Sequence, residues 1–434
     1  MGDALREGRA LRFLGAHDYA TGHYARSRST LEAALARLQE AAFPGESAAC
    51  LSLLSVTLGA VNEPAAALEA AERAAALSRK AGDRRQEATS LRRIAVIHNR
   101  QGEYAAALPA VEAALTLHRE IGDRREECHG LSILGQTLGR LGRPEKAAEA
   151  FHEMLQIAEE IGAAPNIGAG VTYMVYSVLS PQGEYEVGLA FLESWVAKMR
   201  QAKEEVLAAQ FEVNKAFLLT YLGQMEPALE LAQSVLLDAD RLLNYGYQMM
   251  LSDVIALCQG GLGHFRQARE CCRAAIERAE QAGETRDTVA WLVGLAYVAC
   301  LEGDRAKLRV GTERVQQYGV SLPADNAWSH HLAARMHLAL GEAELALESS
   351  SKVMQQKELR GEVSYWMEQY YLTHARVLRT LGRDAEADDY LQRAYERVML
   401  VASKTQDERL RRGWLENVPD NREIVAEWEA RHSP

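Results

Sequence analysis

Gly102-Glu-Tyr-Ala-Ala-Ala-Leu108 is the stretch on which the fold turns. A glycine stands at a turn, an aromatic follows two residues on, and a small residue follows five on. With Tyr, Phe or Pro taken two residues after the turn, that spacing recurs along the chain, with the turn position at Gly22, Asn62, Gly102, Gly142, Gly183, Gly223, Gly263, Gly303, Gly341 and Gly382. The successive steps are 40, 40, 40, 41, 40, 40, 40, 38 and 41 residues. Composition alone does not produce such a period, so the 434 residues form one repeat array rather than the two or three compact domains their number suggests.

Each period follows helical logic. Seven residues before the turn lies a small side chain in nearly every repeat, as in Gly15, Ser55, Ala95, Gly135, Ala216, Ala256, Ala296, Ala334 and Ala375. Five residues after it comes another, as in Ser27, Ala67, Ala107, Ala147, Gly188, Ala228, Ala268, Ala346 and Ala387. Small residues facing each other across a tight turn let two antiparallel helices approach closely. Leu91, Ile94 and Ile97 before the turn, and Leu108, Val111 and Leu115 after it, keep the three- and four-residue spacing of helix faces. Gly-Asp-Arg-Arg at 82–85 and 122–125 ends one helix and starts the next, with Asp123 and Glu126 spaced as a capping box.

Small, turn, small, and a third small position at Ala34, Ala74, Ala114, Ala275 and Ala394 resemble the tetratricopeptide repeat. The resemblance implies an all-α, right-handed superhelical solenoid of about ten helix-turn-helix units over 1–403, with 404–434 as a C-terminal cap. Trp414, Leu415, Ile424 and Trp428 form the apolar side of that cap. The period exceeds the usual 34 residues. In that respect the chain is similar to the long-repeat sensor arms of bacterial STAND-type signalling ATPases and maltose-regulator-like activators. Met1 opens directly on a repeat, and an effector domain is expected ahead of it. The pattern departs at Tyr176 and Leu308, which stand where small residues are expected, and at Lys215, where an apolar one is. Segment 162–182, with Gly162, Pro165, Gly168, Gly170 and Pro181, is the least regular and is expected to be locally distorted.

Charge and motifs bound the chemistry. A net charge of −11 gives no basic footprint for nucleic acid. No apolar run approaches the roughly 20 residues of a membrane span, and the charged N-terminal stretch does not read as a signal peptide, so a cytoplasmic location is expected. The six cysteines include no Cys-x-x-Cys pair. Cys258, Cys271, Cys272 and Cys300 read as small buried hydrophobes rather than metal ligands, and no metal or cofactor is expected. There is no phosphate loop, nucleophile elbow or zinc-protease helix, which argues for binding rather than catalysis.

In the family the first helix of each hairpin lines the concave groove. Carried over by register, the resemblance implies groove positions at Arg92, Asn99, His129, Gln136, Tyr173, Ser177, Gln210, Phe217, Asp253, Tyr297, Trp328, His331, Arg335 and Arg376. From the fifth repeat to the ninth these become aromatic and basic, the chemistry of recognition hot spots. A peptide, protein or small-molecule ligand is expected there, held by Tyr173, Phe217, Tyr297, Trp328, His331 and Arg335, with Arg335 anchoring any carboxylate. The alternative to a sensor module is a stand-alone scaffold joining protein partners.

Overall fold

The computed structural model describes residues 2–38, 42–317, 327–360 and 366–432; Ser433 and Pro434 of the expected cap lie outside them. Among the described residues the chain is helical throughout and contains no strand. The helices pair as ten successive hairpins, from Gly2–Ala20 with Tyr24–Leu38 to Met367–Thr380 with Asp384–Lys404. The chain divides into two compact units, Met1–Val178 and Leu179–Pro434.

All ten turn positions adopt left-handed backbone, with φ between 61° and 84°. Glycine fits that region without a Cβ penalty, and the one exception, Asn62, is of the residue type that otherwise tolerates it best. The Asp caps also form: Asp83 accepts from the Gln86 amide at 2.9 Å and Asp123 from the Glu126 amide at 3.3 Å. The return half of the capping box does not, because the Glu126 carboxylate turns to Arg92, at 3.1 Å.

The small residues work differently from the simple expectation of small against small. A Cβ at Gly15 would stand 2.7 Å from the Leu31 side chain, and one at Gly135 would stand 2.6 Å from the Phe151 ring. The small residue before the turn thus receives the large residue nine positions after it. The eighth repeat shows the compensation for Leu308, which fills the second small position and is buried. There the helices close together at Gly311 instead, where a Cβ would lie 2.7 Å from that of Ala296. Lys215 is half-buried, with its ammonium 2.7 Å from a carboxylate oxygen of Glu193.

The fifth repeat explains the first 41-residue step. Its first helix, Ala164–Tyr173, runs into a π-helical turn, Met174–Leu179, which absorbs one extra residue inside the ladder. The register slips by one, so Val175 takes the fully buried position and Tyr176 is displaced to a half-buried one. The division between the two units falls in this turn.

The second unit closes on itself. Arg397, in the tenth repeat, donates to the carbonyls of Pro181 and Ser180 and to the Tyr185 hydroxyl, at 2.8, 2.7 and 3.0 Å. Lys404 pairs with Glu184 at 2.9 Å, and the Gln406 amide donates to Glu186 at 2.5 Å. After Lys404 the chain passes through Glu408–Arg412 and a second π-helical turn, Gly413–Asn417, into Pro419–His432. This segment packs on both helices of the tenth repeat and on the sixth repeat's turn, where Gln224 donates to the Arg409 carbonyl at 3.1 Å. Trp414 is fully buried against Tyr185 and Tyr221, Ile424 is also fully buried, and Trp428 stacks between Tyr395 and His432.

Candidate functional site

In the first unit the residues placed on the groove by register are largely engaged with neighbouring repeats. Arg92 pairs with Glu126, Asn99 donates to the Thr137 hydroxyl of the next repeat at 2.9 Å, and Gln136 donates to the Ser132 carbonyl one turn back at 3.1 Å. Tyr173 stacks on Phe151 with ring centres 5.9 Å apart, and the Ser177 carbonyl lies against Gly139. His129 is half-buried, and burial holds its imidazole below the usual range.

The second unit holds a cavity of about 400 Å³. Five successive repeats build it, almost entirely from their first helices: Phe217 from the sixth, Met249 and Asp253 from the seventh, Asp287, Trp291 and Tyr297 from the eighth, Trp328 from the ninth, and Trp366 at the start of the tenth. Four of the expected groove residues, Phe217, Asp253, Tyr297 and Trp328, meet here. The Phe217 and Trp366 rings make an edge contact at 6.2 Å, and Trp328 lies 5.2 Å from Trp366. Trp366 has φ of 66°, a left-handed conformation that a bulky side chain rarely adopts.

Two carboxylates stand in this aromatic wall. Asp287 accepts from the Tyr245 hydroxyl at 2.8 Å. Asp253 is open to the cavity, and among the described residues the charge that acts on it is the like charge of Asp287. Enclosure by the cleft, then that neighbouring charge, pushes its carboxyl up to about 7.

Other expected site residues lie off the wall, and here the structure corrects the sequence reading. His331 is buried rather than groove-facing, wedged between Trp328 and Tyr370, with Nε2 unbonded among the described residues. Burial, with Arg335 beside it, holds its imidazole well below the usual range. Arg335 lies over the Tyr297 ring at 5.3 Å and is committed to Asp420 of the C-terminal segment at 2.6 Å. Arg376 is held the same way, by Glu423 at 2.7 Å and by Glu427. The acidic side of Pro419–His432 therefore occupies both arginines, including Arg335, which was expected to anchor a carboxylate. Gln210 is half-buried and does not line the cavity.

Asp287 and Trp366 were missed, although a signal existed. Both lie sixteen residues before their turn glycines, Gly303 and Gly382. The register stripe that gave Trp328 and Tyr297 reaches them when carried one helical turn further back.

Below the cavity lies a buried polar cluster. The Tyr221 hydroxyl is 3.0 Å from both oxygens of Glu368, and Arg397 and Tyr185 complete the group. Burial, opposed in part by Arg397, pushes the Glu368 carboxyl up to about 7 from an ordinary 4.5. The folded chain thus holds this proton more tightly than the unfolded chain. The resulting stabilisation is full below about 4.5 and is lost as pH rises through about 7. Glu368→Gln removes the linkage, so wild type should lose melting temperature relative to this variant between about pH 5 and about pH 8. Parallel curves would place the titration elsewhere.

Residues 86–160, the third and fourth repeats, match the tetratricopeptide repeat family. No curated protein matches the chain in sequence. Among solved structures, a tetratricopeptide repeat protein from Parabacteroides merdae is 16% identical, covering 77% of this chain and 100% of that one with a TM-score of 0.40. The apo form of the quorum sensor NprR from B. thuringiensis is 12% identical, covering 72% of this chain and 87% of that one with a TM-score of 0.50. Among the described residues no helix is long and apolar enough to cross a membrane, and no three His, Cys, Asp or Glu side chains converge as a metal site would require.

Proposed function

We propose that this chain is a non-catalytic, ligand-binding tetratricopeptide repeat module whose ligand enters the cavity of the second unit. The observation that carries this is the convergence of Phe217, Trp291, Tyr297, Trp328 and Trp366, from four repeats, on one cleft of about 400 Å³. That volume is typical of small-ligand sites, which are mostly apolar with a few polar groups. Likeness to a quorum sensor, and to the sensor arms of STAND-type regulators, supports a signalling role over a passive scaffold. A physical route exists as well. Trp366 forms the cavity wall and packs on Tyr221 at 4.8 Å, and Tyr221 packs on Trp414 at 5.0 Å, in the seam that closes the unit. A ligand that shifts Trp366 acts on that seam, and an effector domain coupled to the chain would sense the change.

Gly294 offers a test. A Cβ there meets only the Trp291 ring, at 3.9 Å, and Gly294 lines the cavity, so Gly294→Leu extends a side chain into that space and narrows it. Exchanging a mid-helix glycine for leucine should also leave the free protein equally stable or raise its stability by about 0.5–1 kcal/mol. In a thermal-shift screen of small molecules and short peptides, a compound that raises the wild-type melting temperature should lose its effect on Gly294→Leu. Unchanged shifts would place the site outside the cavity. Hydrogen exchange then separates sensor from scaffold: a sensor changes protection around 180–187 and 397–417 when the ligand binds.

A further inference from the structure

The wall chemistry names the ligand class. We infer that the cavity takes an organic cation, an ammonium or guanidinium group on an apolar body, as a free amine or as the basic side chain of a peptide. This rests on the reading of the cavity as the ligand site. Asp253 and Asp287 both line it, and among the described residues neither forms an ion pair with a basic side chain. Arg278, whose charge reaches Tyr245 beside Asp287, is half-exposed and stands 4.0 Å from Asp240. Two carboxylates lining one cleft repel each other, and a bound cation relieves that repulsion while keeping both ionised. Enclosure by the cleft and then the Asp287 charge hold the Asp253 carboxyl above its ordinary range, and a bound cation would offset both.

The rest of the wall fits the same guest. Three indole rings, Trp291, Trp328 and Trp366, line it with Tyr297 and Phe217, and aromatic rings attract a cation as well as its apolar body. An anionic guest would meet like charge, and the guanidinium that would offset it, Arg335, is off the wall and neutralised by Asp420. About 400 Å³ holds one side chain or one small aromatic amine, not a folded element.

All six tryptophans lie in the second unit, three of them on the wall, so intrinsic fluorescence reports binding directly. Three probes share one ring and differ in charge: 2-phenylethylammonium, 2-phenylethanol and phenylacetate. A second pair, Nα-acetylarginine amide and Nα-acetylcitrulline amide, tests a peptide side chain against its uncharged isostere. At least one cation should bind about tenfold or more tighter than its neutral partner, and phenylacetate should bind more weakly still. The better of the two cations identifies the source. In Asp253→Asn and in Asp287→Asn, each checked for wild-type helicity, the preference should fall to about threefold or less. Equal binding of charged and neutral probes, tightest binding of phenylacetate, or a preference that survives both substitutions overturns the inference. If neutral probes bind and Gly294→Leu blocks them, the cavity remains the site and only the charge assignment falls. If no probe binds, or Gly294→Leu changes nothing, both fall.

Discussion

Trp414→Ala should destabilise the second unit by about 3–5 kcal/mol, the usual range for emptying a buried aromatic position. Trp414 has no solvent exposure, its Nε1 donates to the Val398 carbonyl at 2.9 Å, and its ring lies against Tyr185 and Tyr221. It joins three stretches far apart in sequence, so the surroundings cannot collapse into the space without opening the seam. The backbone next to it has no slack either: a Cβ at Gly223 would stand 2.4 Å from the Gly413 carbonyl oxygen. Urea unfolding followed by the fluorescence of the five remaining tryptophans, all in this unit, reads the effect. Trp414→Phe should recover most of the stability, losing chiefly the hydrogen bond, about 1 kcal/mol. A midpoint unmoved by Trp414→Ala would mean that the seam does not contribute to folding.

Ala107→Asp should cost the first unit at least about 3 kcal/mol, because it places an unpaired charge in a tight helix crossing. Ala107 and Ala95, on the paired helices of the third repeat, are both fully buried. The neighbouring Ala106 is exposed and lies in the first turn of its helix, where a negative charge is tolerated. Ala106→Asp should therefore stay within about 0.5 kcal/mol of wild type. Thermal melts followed by far-ultraviolet circular dichroism compare the two, and equal melting temperatures would show the repeat register to be wrong.

What the sequence disclosed was whatever repeats. Turn residues recur because each hairpin needs one left-handed position, and a single stretch such as 102–108 therefore located all ten. The extra residue before Gly183 marked its own place, although only the structure shows that a π-helical turn absorbs it. Non-periodic contacts left no such trace. Arg397 against Ser180 and Arg335 against Asp420 join positions 217 and 85 residues apart, and each occurs once. For that reason Arg335 looked like a ligand anchor, when its counter-charge lies within the chain. Phe217, Asp253, Tyr297 and Trp328 sit on the repeating stripe, which is why the register reached residues that line the cavity. The carboxylate pair was half seen because Asp287 lies one turn beyond the part of the stripe that was used.

The closure of the second unit sets its repeat arithmetic. In the first unit, hairpins pack on their sequence neighbours, so gaining or losing one 40-residue module changes one junction and leaves the others intact. The second unit has a hairpin at each end whose partner is the other end, through Arg397 with Ser180 and Lys404 with Glu184. An inserted or deleted module there would pull the two ends out of reach and dismantle the cavity between them. Over evolutionary time the first unit is free to vary in length by whole modules, whereas the second must keep its number and diversify by side-chain replacement alone.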